Sequence, residues 1–129
     1  MSNPFDLLVL AVAGAVGTLL RAGCVTLAVR LAGADSGWAA PAATLGVNVV
    51  GSFAFGGLFG LAQTRLALTS AQQTYLLVGL LGGFTTYSSF AFQSVELLDQ
   101  GRVVAAAIYV AATTTLALGG AWLGLRLFS

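Results

Sequence analysis

The residues best suited to chemistry lie in one run at 82–90, which reads Gly-Gly-Phe-Thr-Thr-Tyr-Ser-Ser-Phe. Its two glycines precede five consecutive hydroxyl residues, near the middle of a hydrophobic stretch. Such a run does not face only one side of a helix, so we predict a helix break in which Thr and Ser satisfy the freed backbone groups. Broken helices within membranes often form ion sites. The alternative is a kinked helix with a structural role only.

A second set of polar residues, Thr44, Asn48 and Ser52, recurs at four-residue spacing in an earlier hydrophobic segment. This spacing puts the three side chains on roughly one face of a helix. An Asn amide in hydrocarbon is costly unless it is paired. The NH₂ group of Asn48 could donate to a neighbouring helix or to an anion, and the spacing leaves both roles open.

Two other positions bring polar groups into hydrophobic segments. Arg21 is the only charge well inside one of them. Its long side chain could reach back to the membrane interface, or it could line an aqueous vestibule and attract anions. Near the C-terminus, Tyr109 and the hydroxyl run 113–115 could bond to their own helix backbone or line a path.

Groups needed for most enzyme chemistry are absent from the sequence. There is no His, and all five basic residues are Arg, so His-based metal sites and lysine chemistry are excluded. The sequence shows no nucleophile–base pair that would indicate an enzyme. All of the acids lie near predicted segment ends: Asp6, Asp35, Glu96 and Asp99. Proton-coupled carriers usually need an acid inside the membrane, and cation pores usually show an acidic ring. Hydroxyls, amides and aromatic edges remain, and these suit a small, strongly hydrogen-bonding anion.

Four hydrophobic segments must position these groups. The chain of 129 residues is 58% hydrophobic and 7% charged, whereas a soluble domain carries about 25% charged residues. A membrane-spanning helix needs about 20 mostly apolar residues, and the segments that qualify are 5–29, 38–62, 74–98 and 103–125. We predict an all-α membrane protein with a single four-helix domain over 1–129. Ser70 with Gln73 fits a capping box at the start of the third helix.

Small residues are dense, with 17 glycines in the chain. Gly56 and Gly60 form one GxxxG pair, and Gly120 and Gly124 form another. This spacing allows helix backbones to approach closely in lipid. We expect close packing at both pairs, within one subunit or between subunits.

Positive charge is evenly divided between the two sides of the predicted topology. Arg65 and Arg126 lie on the side of the two termini, and Arg30 and Arg102 lie on the other. Because an arginine excess in cytoplasmic loops normally sets orientation, this balance predicts insertion in both directions. Four helices are too few to enclose a pore within one subunit, so we predict an oligomer, and the arginine balance favours an antiparallel homodimer. The net charge of +1 predicts no nucleic-acid partner.

Three motifs resemble the family of small fluoride channels called Fluc or CrcB. The first helix carries Gly14-x-x-Gly17-x-x-x-Arg21, and the second carries Thr44-Leu-x-Val47-Asn48-x-x-Gly51-Ser52-Phe53. The run at 82–90 resembles the family's signature in the third helix. The order and spacing of these motifs also fit, over nearly the whole chain.

The resemblance implies a dual-topology dimer in the plasma or inner membrane of a prokaryote, with two pores for passive fluoride efflux. It implies that Asn48 donates to fluoride, that Tyr87 and Phe90 are aromatic-box residues and that Arg21 lines a vestibule. The other residues expected along the pore are Thr44, Ser88, Ser89, Tyr109 and Thr113. Backbone carbonyls of Gly82 and Thr85 match the ligands of a structural Na⁺ shared by both subunits.

Two positions depart from the family pattern. The first aromatic-box position is usually Phe and is Tyr87 here, and a Glu that usually follows the signature is Gln93 here. Some relatives are heterodimers of unlike subunits, so one half of such a pair is an alternative. A proton-coupled exporter of the small multidrug type is another, although the first helix has no Glu at 13–20. A non-transporting assembly subunit is the third.

Overall fold

The computed structural model describes residues 3–33 and 37–129 of the chain, and the regular structure in these ranges is entirely helical. Four helices in it are long and apolar enough to cross a membrane. They are Pro4–Ala32, Ala39–Thr64, Ser70–Asp99 and Val103–Phe128, which we call the first to fourth spans. The prediction of four spanning helices is confirmed, and each helix ends a little beyond the segment predicted for it, although the second begins at Ala39, just after its predicted start. Asp35, in the predicted first link, lies outside the described residues.

The starts of the first and third spans show two N-capping arrangements. Asn3 caps the first span, because its Oδ1 accepts from the backbone N–H of Phe5 at 3.0 Å. The third span begins differently from our prediction. Its cap is Thr69, whose hydroxyl accepts from the N–H of Gln72 at 3.2 Å while Gln72 Oε1 accepts from the N–H of Thr69 at 2.9 Å. The predicted pair of Ser70 and Gln73 was therefore wrong by one residue, since Ser70 is already helical.

The third span consists of two half-helices. The first half contains an α-helical turn at Ser70–Gln73, a π-helical stretch at Thr74–Leu81 and a final turn at Gly82–Phe84. The backbone is extended at Thr85 (φ −84°, ψ 160°) and at Thr86 (φ −150°, ψ 116°). The second half-helix then runs over Tyr87–Asp99. The interruption falls inside the run in which the sequence predicted a break.

Glycines hold the second and fourth spans together at close range. A Cβ added to Gly56 would overlap the carbonyl oxygen of Ala121, and one added to Gly124 would overlap that of Phe53. Gly60 likewise faces Leu125, whose carbonyl oxygen would lie 3.1 Å from an added Cβ. Both GxxxG pairs therefore lie at one helix contact within the chain.

The first span packs in the same way against the first half of the third. A Cβ at Gly83 would lie 2.6 Å from the carbonyl oxygen of Gly14, and one at Gly17 would overlap the carbonyl of Leu80. The two helices run in the same direction, because Tyr75 bonds to Asp6 while Gly83 contacts Gly14. This packing fixes the position of the third span up to its interruption.

Candidate functional site

The interruption of the third span is held by a side chain of the second. Asn48 Nδ2 donates to the carbonyl oxygen of Thr86 at 3.0 Å, and the N–H of Thr86 donates to Asn48 Oδ1 at 2.8 Å. One amide thus satisfies both backbone groups of the extended residue, and Asn48 is only 9% exposed. Of the two roles left open for Asn48, bonding to a neighbouring helix is observed. The second N–H of its amide makes no bond to any described residue.

The threonine before the clamped residue fits into a space left by a glycine. A Cβ at Gly51 would overlap the Thr85 methyl group and lie 3.1 Å from Phe84. The Thr85 hydroxyl donates to the carbonyl of Leu81 at 3.0 Å, within its own half-helix. Gly51 therefore lets the interrupted backbone approach the second span closely enough for Asn48 to reach it.

The hydroxyls that follow the interruption form a local network. Thr86 Oγ1 accepts from the N–H of Ser89 at 3.2 Å and lies 3.1 Å from Ser89 Oγ and 3.3 Å from Ser88 Oγ. Thr86 thereby caps the second half-helix, as expected for a Thr at an N-cap. Ser88 and Ser89 line a shallow outer groove with Phe92, Gln93 and Glu96.

Three aromatic rings form a row from the surface of the chain into its core. The ring centroids of Tyr87 and Phe90 are 5.6 Å apart, and those of Phe90 and Tyr109 are 5.5 Å apart. Tyr87 is 80% exposed, whereas Phe90 is 8% and Tyr109 is 3% exposed. Tilted and edge-on rings place the positive edge of one ring against its neighbour. The rings of Tyr87 and Phe90 border a cavity that reaches the interruption.

This cavity has a volume of about 420 Å³ and lies between the second, third and fourth spans. Its walls include Asn48, Gly51, Ser52, Phe55, Thr85, Thr86, Tyr87, Phe90, Thr113, Thr114 and Ala121. No carboxylate or arginine is among these described residues. The cavity therefore offers amide, hydroxyl and ring-edge groups without a fixed charge.

Thr113 borders this cavity and carries a buried polar atom. The residue is 4% exposed, and its Oγ1 is buried without a hydrogen-bond partner among the described residues. Leaving a buried hydroxyl unpaired costs about 1–3 kcal/mol. Burial of the Thr113 hydroxyl is therefore unfavourable unless it forms a hydrogen bond to a polar ligand. Thr115 differs, because its hydroxyl donates to Ala111 of its own helix at 2.7 Å.

Two predicted pore residues lie behind the cavity wall. Thr44 is 1% exposed, one turn before Asn48, and does not line the cavity. Tyr109 packs on the inner side of Phe90, and its hydroxyl donates to Gln93 Oε1 at 2.7 Å. In the sequence Gln93 stood out only as a departure from the family pattern, and its spacing does not indicate this bond between residues on different helices.

Arg21 contacts the first half-helix at the end nearest the interruption. Its Nε donates to the carbonyl oxygen of Gly83 at 3.2 Å, and the side chain is half-buried. The sequence left open whether Arg21 reaches the interface or lines a vestibule, and neither alternative included this bond. A cation at the C-terminal end of a helix also meets the negative end of the helix dipole.

Carbonyl oxygens at the interruption have no regular helical partners. The N–H of Thr86, which would continue the helix, bonds to Asn48 instead. Among the described residues, no hydrogen bond reaches the carbonyl oxygens of Gly82 and Thr85. The described chain also contains no cluster of three or more acidic, His or Cys residues that could hold a metal. A cation held here would have backbone oxygens as its ligands.

Comparison with known proteins gives one family. The family model described as "CrcB-like protein, Camphor Resistance (CrcB)" matches residues 8–125. A "Fluoride-specific ion channel FluC" of Roseiflexus sp. (strain RS-1) is 40% identical over 119 residues, which cover 92% of this chain and 93% of that protein. A protein of the same name from Nitratidesulfovibrio vulgaris is 38% identical over the same shares of the two chains. Another, from Rhodospirillum centenum, is 47% identical over 91 residues, 70% of this chain and 72% of its own.

Proposed function

Because this chain belongs to the CrcB family, we propose that it is a fluoride-specific ion channel, through which fluoride leaves the cell passively. The structural observation that best supports the proposal is the cavity at the interruption of the third span. There the buried hydroxyl of Thr113 and an N–H of Asn48 are both free of protein partners among the described residues. A channel of this kind is not an enzyme.

Neutral donors suit a permeating anion better than fixed charges do. A filter must replace part of the hydration shell and still release the ion. Asn48 and Thr113 each provide one donor, and Phe90 and Tyr87 provide ring edges. A carboxylate in the same cavity would repel an anion, and an arginine would hold it tightly. These neutral groups therefore favour permeation of the anion over tight binding.

The half-helix after the interruption adds a favourable potential. Its N-terminus at Tyr87 is the positive end of a helix dipole and adjoins the cavity. Discontinuous helices in transporters direct such ends at anionic groups. Thr86 keeps this end capped, because its hydroxyl accepts from Ser89. We assign Ser88 and Ser89 to the outer part of the same fluoride path.

We assign the pore to a dimer of two copies in opposite orientations, with two pores. Support comes from the equal arginine count on the two sides, and from the exposure of Tyr87 in the cavity wall and of Gly82 near the interruption. A second copy would cover that side and complete the wall. Tags on the two termini should be accessible from both sides of the membrane, and a single orientation for the whole population would refute the arrangement.

A sodium ion at the dimer centre fits the carbonyls of Gly82 and Thr85. Both lack donors among the described residues, and hard cations prefer oxygen ligands. When bound, the ion would supply positive charge to the ends of two half-helices. Two contacts position these carbonyl groups. Gly51 leaves space for Thr85, and Asn48 accepts the N–H of Thr86, which is therefore not donated to the carbonyl of Gly82.

We place the channel in the plasma or inner membrane of a prokaryote, as a multi-pass protein. Complementation tests the proposed function in cells. Expression in a bacterium that lacks its own fluoride exporter should restore growth in fluoride, and equal expression of the Asn48→Asp variant should not. Failure of the native chain alone, with rescue by a co-expressed relative, would favour one half of a heterodimer. A proton-coupled exporter would need a membrane-embedded Glu in the first helix, and residues 13–20 contain none.

A further inference from the structure

Arg21 is a charged side chain that contacts the third span close to its interruption, and it is not part of the aromatic box. Its Nε bonds to the carbonyl of Gly83, between the two residues whose carbonyls are proposed to bind sodium. The residue is half-buried, so solvent screens its charge less than that of an arginine on the surface.

We infer that Arg21 is a positioning residue that caps the first half-helix and sets the sodium affinity of the Gly82 and Thr85 carbonyls; this rests on the sodium site in the proposed function. The cap follows from the hydrogen bond to Gly83, a carbonyl near the interruption of the third span. It follows also from the helix dipole, because a cation near a helix C-terminus is favourable.

The effect on sodium follows from charge. A guanidinium bonded to one carbonyl of the turn repels a second cation at the neighbouring carbonyls, and this repulsion is substantial at the dielectric of a half-buried site. Arg21 therefore weakens sodium binding while it orders the carbonyls that bind it. The site is held at moderate affinity by a charge that belongs to the protein.

The test is a sodium titration of thermal stability. The purified chain in detergent is melted at a series of NaCl concentrations, with N-methylglucamine chloride keeping ionic strength constant. A ligand that binds the native state raises the melting temperature according to its concentration relative to its Kd. We call the sodium concentration at which the melting temperature begins to rise the onset concentration. It reports the affinity for sodium independently of fluoride transport.

Three substitutions separate charge from capping. Arg21→Gln removes the charge and keeps an N–H donor, so the sodium onset concentration should fall about tenfold. Arg21→Lys keeps the charge and a donor, and its onset concentration should stay within about threefold of the native value. Arg30→Gln removes an exposed charge in the last turn of the same helix and should leave the onset concentration unchanged.

The outcomes are distinct. A purely structural role for Arg21 would lower the melting temperature of Arg21→Gln equally at every sodium concentration, and an unchanged sodium onset concentration overturns the inference. If the native chain shows no sodium dependence, the sodium site and the inference both fail, while fluoride flux in liposomes still decides the channel function. If sodium behaves as expected and fluoride does not permeate, the channel proposal fails and the role of Arg21 stands.

Discussion

Asn48 bonds with both ends of its amide to the backbone of Thr86, 38 residues further along the chain. The N–H of Thr86 would otherwise continue the helix of the third span, so this pair of bonds maintains the interruption. The same amide has a second N–H without a partner among the described residues. One side chain can therefore hold the interrupted backbone open and still donate to an ion.

Substitutions at Asn48 should affect both tasks. Asn48→Asp keeps the shape, loses the donor to Thr86 and introduces negative charge in the path of an anion. Losing that buried bond costs about 1–3 kcal/mol, and we expect fluoride efflux from liposomes to be nearly abolished. Asn48→Ser should retain more flux because it adds no charge. Undiminished efflux with Asn48→Asp would refute this role.

Thr113 should contribute its unpaired hydroxyl to the ion. Thr113→Val has the same shape without that hydroxyl, so protein stability should hold or improve while fluoride efflux falls about tenfold, equivalent to about 1.4 kcal/mol. Thr113→Ser should retain flux. Thr115→Val is the matched control, since the Thr115 hydroxyl bonds to its own helix. Equal flux through Thr113→Val and the native chain would mean that the hydroxyl never meets fluoride.

The aromatic pair should respond unequally to substitution. Tyr87→Phe keeps the ring edge and loses a hydroxyl that could hold fluoride by a charge-assisted bond of about 1.5–3 kcal/mol. Efflux should therefore be as fast as in the native chain or faster. Phe90→Ile removes a buried ring and should conduct far less. Loss of flux in Tyr87→Phe, with flux spared in Phe90→Ile, would contradict the role of ring edges.

The glycine contacts between the second and fourth spans should tolerate no methyl group. Gly124→Ala would overlap the carbonyl of Phe53, and overpacking of this kind costs about 1–3 kcal/mol. Gly119→Ala, in the same helix, has no atom within 4 Å of its added Cβ and should be neutral or stabilising by up to about 1 kcal/mol. The melting temperatures of the two variants in detergent are compared. Equal values would mean that Gly124 does not lie at the contact between the second and fourth spans.

The sequence predicted the elements better than the contacts between them. Hydrophobic length predicted the four spans, and Gly82-Gly83 followed by hydroxyl residues predicted the interruption. The capping box was wrong by one residue because Thr69 with Gln72 and Ser70 with Gln73 satisfy the same pattern. Only the position at which the chain turns into the helix decides between two such registers.

The partner of each polar group could not be predicted from spacing. The periodicity around Asn48 indicated a helix face but not which helix it meets. Arg21 and Gly83 are 62 residues apart, and their bond depends on the close packing at Gly14 and Gly17. The π-helical stretch at Thr74–Leu81 also has no signature in the hydrophobic pattern of the sequence.

Fluoride efflux from liposomes containing the purified chain tests the central claim most directly. The vesicles are loaded with fluoride salt, diluted into fluoride-free buffer at equal pH inside and outside, and given an ionophore that dissipates charge. We predict rapid fluoride loss without a proton gradient, with no comparable loss from matched vesicles loaded with chloride. Fluoride retention equal to that of protein-free vesicles, or export of an organic cation driven by a proton gradient, would contradict the account.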